Sequence, residues 1–187
     1  MTPGTAPLAE LFADTPEELR RQALSHSSWV DKRTESYGRL AFLGDSVLGL
    51  SVAALLFEGH PDADIGELTK ILNQAVSGRA CAEVARQLDM PRLLAEEAPD
   101  GGDGLPVDTL LASERTLASV CEAVIGACYL AHGFERTSEA VIEAFAAEID
   151  QAVHAGWTPI TLGRRTLRAD AAPLVAVSVL QWVWRDL

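Results

Sequence analysis

The chain has 187 residues, of which 48% are hydrophobic and 22% are charged, a composition typical of one globular domain with or without an appendage. Its formal net charge of -12 argues against a broad basic surface that binds nucleic acid through many phosphates, while a local basic patch or a bridging metal stays compatible with it. The first residues lack a basic region followed by an apolar core, so we expect no secretory signal and a cytoplasmic location.

The first predicted helix lies in the stretch DTPEELRRQAL. Thr15 is at the N-cap position, Pro16 at the first helical position and Glu18 three residues after the cap. This spacing is typical of a capping box, in which side chains at both ends pair with backbone N–H groups. We therefore predict that the helix begins at Pro16.

A second, much longer helix is predicted for residues 38–57, GRLAFLGDSVLGLSVAALLF, ending near Glu58 and Gly59. Its apolar length just reaches that of a membrane span, but Asp45 at its centre and the missing aromatic belts favour a buried helix, and we predict no membrane association. Burying a carboxylate is costly unless something pairs with it. Asp45 is therefore a candidate functional residue.

The middle of the chain predicts further helices. Two are expected to meet near Ser77 and Gly78, with Pro91 ending the second, and an acidic Gly- and Pro-rich loop follows them. Ser113 is expected to cap a very apolar helix that ends at Gly133, followed by one amphipathic helix reaching about residue 154. We predict an all-α domain over residues 1–155.

Residues 156–187 differ in composition from this domain and are predicted to form a C-terminal tail, irregular or with short strands. They contain β-branched residues and a small basic group, and end in an apolar run with two tryptophans, too short to span a bilayer. This run is compatible with a strand or a helix. The basic group comprises Arg164, Arg165 and Arg168, and the tryptophans are Trp182 and Trp184.

Glu122, like Asp45, is a single acid in an apolar stretch, since it is the one carboxylate within LASVCEAVIGACYLA. If the two apolar helices face each other, the like charges of the two acids would raise the pKa of one of them, or the pair would hold a hard divalent ion such as Mg²⁺. The alternative is that each acid caps a loop or pairs with an arginine such as Arg39 or Arg79. The three cysteines, an odd number without a CxxC pair, indicate buried free thiols rather than disulfides or a zinc site.

The stretch YGRLAFLGDSVLGL resembles the signature motif of the ribonuclease III family. Further stretches resemble the family in the same order over residues 10–152: ALSHSSW, GELTKILNQAVSGRACAEVA, LASVCEAVIGACYLAHGFE and the amphipathic helix that follows. The resemblance implies an all-α endonuclease domain that acts on double-stranded RNA. It also implies a homodimer formed through the 38–57 helix, with one divalent-metal site, for Mg or Mn, in each subunit.

The resemblance places the metal-binding acids of the family at positions 41, 45, 119 and 122. Two of these positions have no carboxylate here, because they hold Ala41 and Ser119, and Gly38 replaces the glutamate that opens the signature. Positions 41 and 45 are one helical turn apart, as are 119 and 122, so each helix offers one acid instead of two. We predict a degraded site in which Asp45 and Glu122 are the residual catalytic and metal-binding residues, Ser119 is an altered position, and Mg or Mn binds weakly.

Two other stretches carry candidate residues. His26 and Ser27 match the short family motif before the signature, where they brace helix ends or take part in catalysis. Glu67 and Lys70 match a family stretch near bound RNA, so His26, Glu67 and Lys70 are candidate substrate-binding residues, with an ordinary solvated helix face as the alternative for the last two. The remaining histidines lie at predicted helix ends, where the helix dipole accounts for them.

Three functions are compatible with these features. The first is a dimer that keeps the fold, cleaves weakly or not at all, and binds structured RNA. The second is a residual Mg- or Mn-dependent endonuclease that uses Asp45 and Glu122. The third is a small-molecule enzyme that uses the cleft between the two acid-bearing helices, with Asp45 and Glu122 as acid–base groups. Cys121 would then be a nucleophile activated by His26, and the alternative is that Cys121 is a buried inert thiol.

Overall fold

The structure, a computed structural model, describes residues 7–99, 101 and 104–155. These residues form an all-α fold without a strand in the described ranges, as the sequence predicts. The helices are α1 (Pro7–Ala13), α2 (Glu17–Leu24), α3 (Gly38–Gly59), α4 (Ile65–Ala75), α5 (Gly78–Gln87), α6 (Met90–Glu96), α7 (Val107–Leu111), α8 (Glu114–His132), α9 (Phe134–Ala144) and α10 (Ala146–His154), with a short 3-10 helix at Arg33–Glu35. The tail predicted for 156–187 lies outside the described residues.

The two most apolar helices, α3 and α8, form the centre of the fold. Gly44 of α3 and Gly126 of α8 lie where they cross, and a Cβ added at Gly44 would come within 1.7 Å of the Glu122 carbonyl oxygen. A Cβ at Gly126 would lie 2.2 Å from the Leu40 carbonyl oxygen. The two backbones are therefore in direct contact, and only glycine permits this approach.

Around this crossing, α5 packs along α8, and α2 and α9 pack against the same central pair, while α10 packs on α4. Buried residues of α3 recur every three or four positions and form one stripe towards α8. The opposite face of α3 leaves three large apolar side chains exposed: Phe42, Leu50 and Phe57. By length and composition α3 is the one described helix that could cross a membrane, a test that the core helix of a folded domain also passes.

Several helix boundaries confirm the sequence analysis. Ser77 and Ser113 accept hydrogen bonds from backbone N–H groups three residues later and cap α5 and α8. Gly133, with φ of 80°, ends α8 as predicted. The long helix α3 begins at Gly38 and ends at Gly59, as predicted.

The predicted capping box at Thr15 is wrong. Pro16 is itself the N-cap of α2, no side chain caps that helix, and a helix not predicted from the sequence, α1, precedes it. The Thr15 hydroxyl instead donates to the Leu11 carbonyl oxygen at 3.0 Å and lies 3.2 Å from His132 Nε2. His132 thus links α8 to the end of α1, a role beyond the dipole interaction expected for it.

Two further expectations are corrected. Pro91 does not end a helix, because α5 already ends at Gln87 and Pro91 lies in the first turn of α6, where its missing N–H costs nothing. The single helix predicted after Gly133 is interrupted at Phe145, whose side chain is completely buried. The break lets α9 pack on α1 and α3 while α10 packs on α4.

Candidate metal and nucleic-acid site

The α3–α8 crossing brings the two predicted acids together. Asp45 directly follows Gly44, whose backbone contacts the Glu122 carbonyl group. The close approach of the two helices therefore places both acids at the crossing. The expectation that Asp45 is buried is wrong, since its side chain is exposed and Glu122 is only half-buried. The apolar residues around Asp45 in the sequence belong partly to the exposed face of α3, which explains how a carboxylate is tolerated there.

The two carboxylates interact electrostatically. Burial, and secondarily the negative charge of Asp45, raise the pKa of Glu122 to about 7. Near neutral pH, both the protonated and the ionised form of Glu122 are therefore populated. The expected alternative of an arginine partner is not realised in the described part of the chain, where neither Arg39 nor Arg79 forms an ion pair.

The two positions without a carboxylate differ in their surroundings. Ala41 is 6% exposed and packs in the core beside the crossing. Ser119 is half-buried, and its hydroxyl has no hydrogen-bond partner among residues 7–99, 101 and 104–155. Gly38 is exposed, and the first turn of α3 contains no acid.

This donor set does not fit a centre for two divalent ions. Within the described ranges, no group of three or more His, Cys, Asp or Glu side chains is placed to hold a metal ion. Mg²⁺ requires near-octahedral oxygen coordination, and two ions require enough anionic ligand to hold both. Asp45 and Glu122 provide only two carboxylates at the crossing of α3 and α8.

Tyr37, which precedes α3, and Arg115, in the first turn of α8, were missed by the sequence analysis. Burial raises the pKa of the Tyr37 hydroxyl, the positive charge of Arg115 and a hydrogen bond to Thr116 lower it, and the charge of Glu122 raises it. The phenol is therefore within electrostatic range of both Arg115 and Glu122. The signal for Arg115 was available, because it lies four and seven residues before Ser119 and Glu122 on the same helix.

His26 has a structural environment, in which Ser28 is its hydrogen-bond partner. The Ser28 backbone N–H donates to His26 Nδ1 at 3.0 Å, and the Ser28 hydroxyl lies 2.8 Å from the same nitrogen. The imidazole ring contacts the rings of Trp29 and Tyr37 edge-on. His26 therefore packs between a loop and the residue that precedes α3.

The loop beside His26 is joined to the segment before α7. The Leu105 N–H donates to the Ser28 hydroxyl at 3.0 Å, and Trp29 Nε1 donates to the Leu105 carbonyl oxygen at 3.0 Å. We call these two bonds the Leu105 link. A Cβ at Gly104 would lie 2.7 Å from the Trp29 ring, so glycine permits the link.

The other two sequence candidates, Glu67 and Lys70, are both on α4 and exposed. Glu67 completes a capping box at the start of α4, because its carboxylate accepts from the Asp64 N–H and Asp64 accepts from the Glu67 N–H. Lys70 is exposed on the same helix and forms no ion pair with a described residue.

The small-molecule interpretation gains no support from the cleft. Cys121 is completely buried, as are the other two cysteines, and a hydrogen bond with Cys81 together with burial raises the pKa of its thiol. Such a thiol is a poor nucleophile. A cavity of about 920 Å³ lies along α3, but neither Asp45 nor Glu122 lines it.

Comparisons with known proteins agree with the helical architecture. A sequence model described as Ribonuclease-III-like matches residues 16–149. A second model, described as an RNA methyltransferase domain, matches residues 144–181, most of which lie outside the described ranges. The first match covers more than half of the chain, and the fold is that of a ribonuclease III-type domain. The chain belongs to the Ribonuclease-III-like family.

Curated relatives and solved structures support the assignment. Ribonuclease 3 of Rhodopseudomonas palustris is 42% identical over 136 residues, which cover 72% of this chain and 47% of that protein. Ribonuclease 3 of Corynebacterium diphtheriae is 35% identical over 154 residues, covering 79% and 59%. The chain thus spans about half the length of these relatives. The nuclease domain of ribonuclease III from Campylobacter jejuni superposes with a TM-score of 0.62 at 26% identity, covering 76% of this chain and 96% of that one.

Proposed function

We propose that this chain is a dimeric RNA-binding domain of the ribonuclease III family that cleaves double-stranded RNA weakly or not at all. One observation carries the proposal: of the four positions that the resemblance gives to metal-binding acids, only those of Asp45 and Glu122 hold carboxylates. Metal-assisted hydrolysis needs an ion to activate water and neutralise charge on the phosphate. Two carboxylates, one with a pKa of about 7, bind Mg²⁺ or Mn²⁺ weakly and leave too little ligand for a second ion.

RNA is the proposed ligand because the curated relatives from Rhodopseudomonas palustris and Corynebacterium diphtheriae are named as ribonucleases. A net charge of -12 does not favour a broad electrostatic interface with phosphates. The contact with RNA is therefore proposed to be local, at the cleft beside α3 and α8.

The dimer is proposed to form through α3. Its outward face exposes Phe42 by 79%, Leu50 by 58% and Phe57 by 74%, and large apolar side chains exposed along one helix face indicate a protein interface. Phe42 borders the cavity of about 920 Å³, whose lining includes Leu43 and Leu130. In a two-fold dimer, both subunits use the same surface patch. Because this patch contains both the protruding Phe42 ring and the cavity, we propose that the Phe42 ring of one copy faces the cavity of the other. The related nuclease domain from Campylobacter jejuni contains a region involved in dimer formation.

Cleavage assays on a long RNA duplex test the proposal. We expect the wild type to bind the duplex and to leave it intact in Mg²⁺, and the Ala41→Glu/Ser119→Asp variant to gain cleavage because each helix again offers two acids. Since Ala41 is buried, the Ser119→Asp single variant and a thermal melt of each protein separate a missing gain from misfolding. Cleavage by the wild type as fast as by the double variant would contradict the proposal.

A residual nuclease is the alternative that the same assay resolves. It predicts slow duplex cleavage by the wild type in Mn²⁺ that disappears in Glu122→Gln, because the amide removes one of two ligands. An exposed glutamate on another helix, Glu143→Gln, serves as the control. No Mn²⁺-dependent cleavage, together with duplex binding, leaves the non-cleaving function.

A further inference from the structure

One face of α8 carries a cation, a hydroxyl and an acid in succession. Arg115, Ser119 and Glu122 are spaced by four and three residues, which places them on the same side of the helix. Arg115 is exposed and forms no ion pair with any residue the structure describes. Its charge acts on the Tyr37 hydroxyl, which also senses Glu122. An unpaired guanidinium thus lies at the cleft of a strongly acidic chain.

Ser119 changes what this face can bind. A carboxylate at this position would accept hydrogen bonds and ligate cations, whereas a hydroxyl also donates. The Ser119 hydroxyl is half-buried and has no partner within the described ranges. A guanidinium and a hydroxyl one turn apart are both donors to phosphate oxygens, and arginine adds bidentate geometry and a permanent charge.

We propose that Arg115 and Ser119 form a metal-independent contact for a backbone phosphate of RNA. This inference rests on the proposed RNA binding and deepens it by assigning the residues that touch the ligand. Loss of an acid at position 119 removes a charge that would repel the phosphate, and Arg115 supplies positive charge without a bound ion. The remaining carboxylates, Asp45 and Glu122, restrict the contact to the Arg115 end of the face.

Duplex binding in EDTA, measured by fluorescence anisotropy over a series of salt concentrations, tests the contact. We expect Arg115→Gln to lower the affinity about tenfold and to reduce the slope of log K against log salt by about one, because one phosphate contact is lost. Arg86→Gln is the matched control, since it removes the same charge from an exposed guanidinium that pairs with Glu83 on α5. This control is expected to bind as the wild type does.

A second pair of variants tests the hydroxyl. Ser119→Asp places an acid one turn from Arg115 and is expected to weaken binding in EDTA more than Ser119→Ala does, with thermal melts showing that both fold. Inorganic phosphate, added at the phosphate concentration of the duplex, is expected not to displace the RNA. Displacement would assign the site to free phosphate and overturn the proposal.

The outcomes separate this inference from the proposed function. Duplex binding that appears only in Mg²⁺, or that Arg115→Gln leaves unchanged, overturns the phosphate contact and leaves the RNA-binding function in place. Equal losses in Arg115→Gln and Arg86→Gln overturn the contact as well, because net charge would then account for both. No duplex binding under any condition overturns both proposals.

Discussion

At the scale of single residues, the sequence predicts the pairing of Asp45 with Glu122 but not their exposure. Both acids occupy apolar stretches of two helices, and the structure brings them within electrostatic range. A helix that is apolar on both faces gives no periodic signal for its buried side, so the exposure of Asp45 could not be predicted. Tyr37 was missed because its contact with α8 depends on the angle of the helix crossing, which residue spacing does not encode.

Glu122 is expected to titrate near pH 7 in the folded protein. Carbon-13 NMR of its carboxyl should place the pKa at about 7, and Asp45→Asn should lower that value without restoring the ordinary one, because burial is the larger cause. A pKa near 4.5 in the wild type, or one insensitive to Asp45→Asn, would contradict the geometry of the acid pair.

The same shift predicts how stability depends on pH. A carboxyl whose pKa is raised on folding contributes stability below its unfolded pKa, and this contribution is lost as pH rises through about 7. Glu122→Gln should therefore gain stability relative to the wild type between pH 5 and pH 8, by on the order of 1 kcal/mol after screening of this half-exposed group. Urea unfolding at the two pH values measures the difference, with Glu143→Gln, at an exposed glutamate of α9, as the control.

At the scale of helices, boundaries marked by hydrogen-bonding caps were predictable and those marked by prolines were not. Ser77 and Ser113 act as predicted, since a cap is a local interaction. Pro16 and Pro91 are compatible with a position just before a helix or in its first turn, so the sequence alone leaves the boundary open. The break at Phe145 arises from tertiary packing, because burial of the ring competes with helix continuity.

The glycines of α3 provide a matched test of the helix crossing. We expect Gly44→Ala to destabilise the fold by about 3 kcal/mol or more, because the new Cβ would overlap the Glu122 carbonyl oxygen. Gly49→Ala, in the same helix with nothing within 4 Å of its Cβ, should be neutral or stabilising by about 0.5 kcal/mol through helix propensity. Thermal unfolding followed by circular dichroism compares the two, and similar melting temperatures would exclude the close crossing.

At the scale of the whole molecule, the helix patterns and the resemblance both predicted the all-α class, and the described residues and the related solved structure confirm it. The sequence did not reveal which face of the 38–57 helix stays uncovered, because covering depends on the positions of all the surrounding helices. The exposed face of α3 includes residues 42, 50 and 57, and these explain why the apolar run continues beyond what one core needs.

Association through α3 is expected to depend on Phe42. Phe42→Ser should shift the protein from dimer to monomer, because it removes a 79% exposed ring from the proposed interface. Ile65→Ser removes an even more exposed apolar side chain, at 84%, from α4 and should leave the dimer intact. Light scattering coupled to size-exclusion chromatography measures both, and a monomeric wild type would rule out the interface.

The Leu105 link has a consequence for the kinetics of amide exchange. Both backbone groups of Leu105 bond to side chains 76 and 77 residues earlier, although the residue belongs to no helix. Its N–H should therefore exchange with deuterium more slowly than an ordinary loop amide, and at a rate set by separation of the two distant segments. Ser28→Ala should accelerate exchange at Leu105 while leaving amides inside α8 protected, which would identify the link as a local opening unit of the fold.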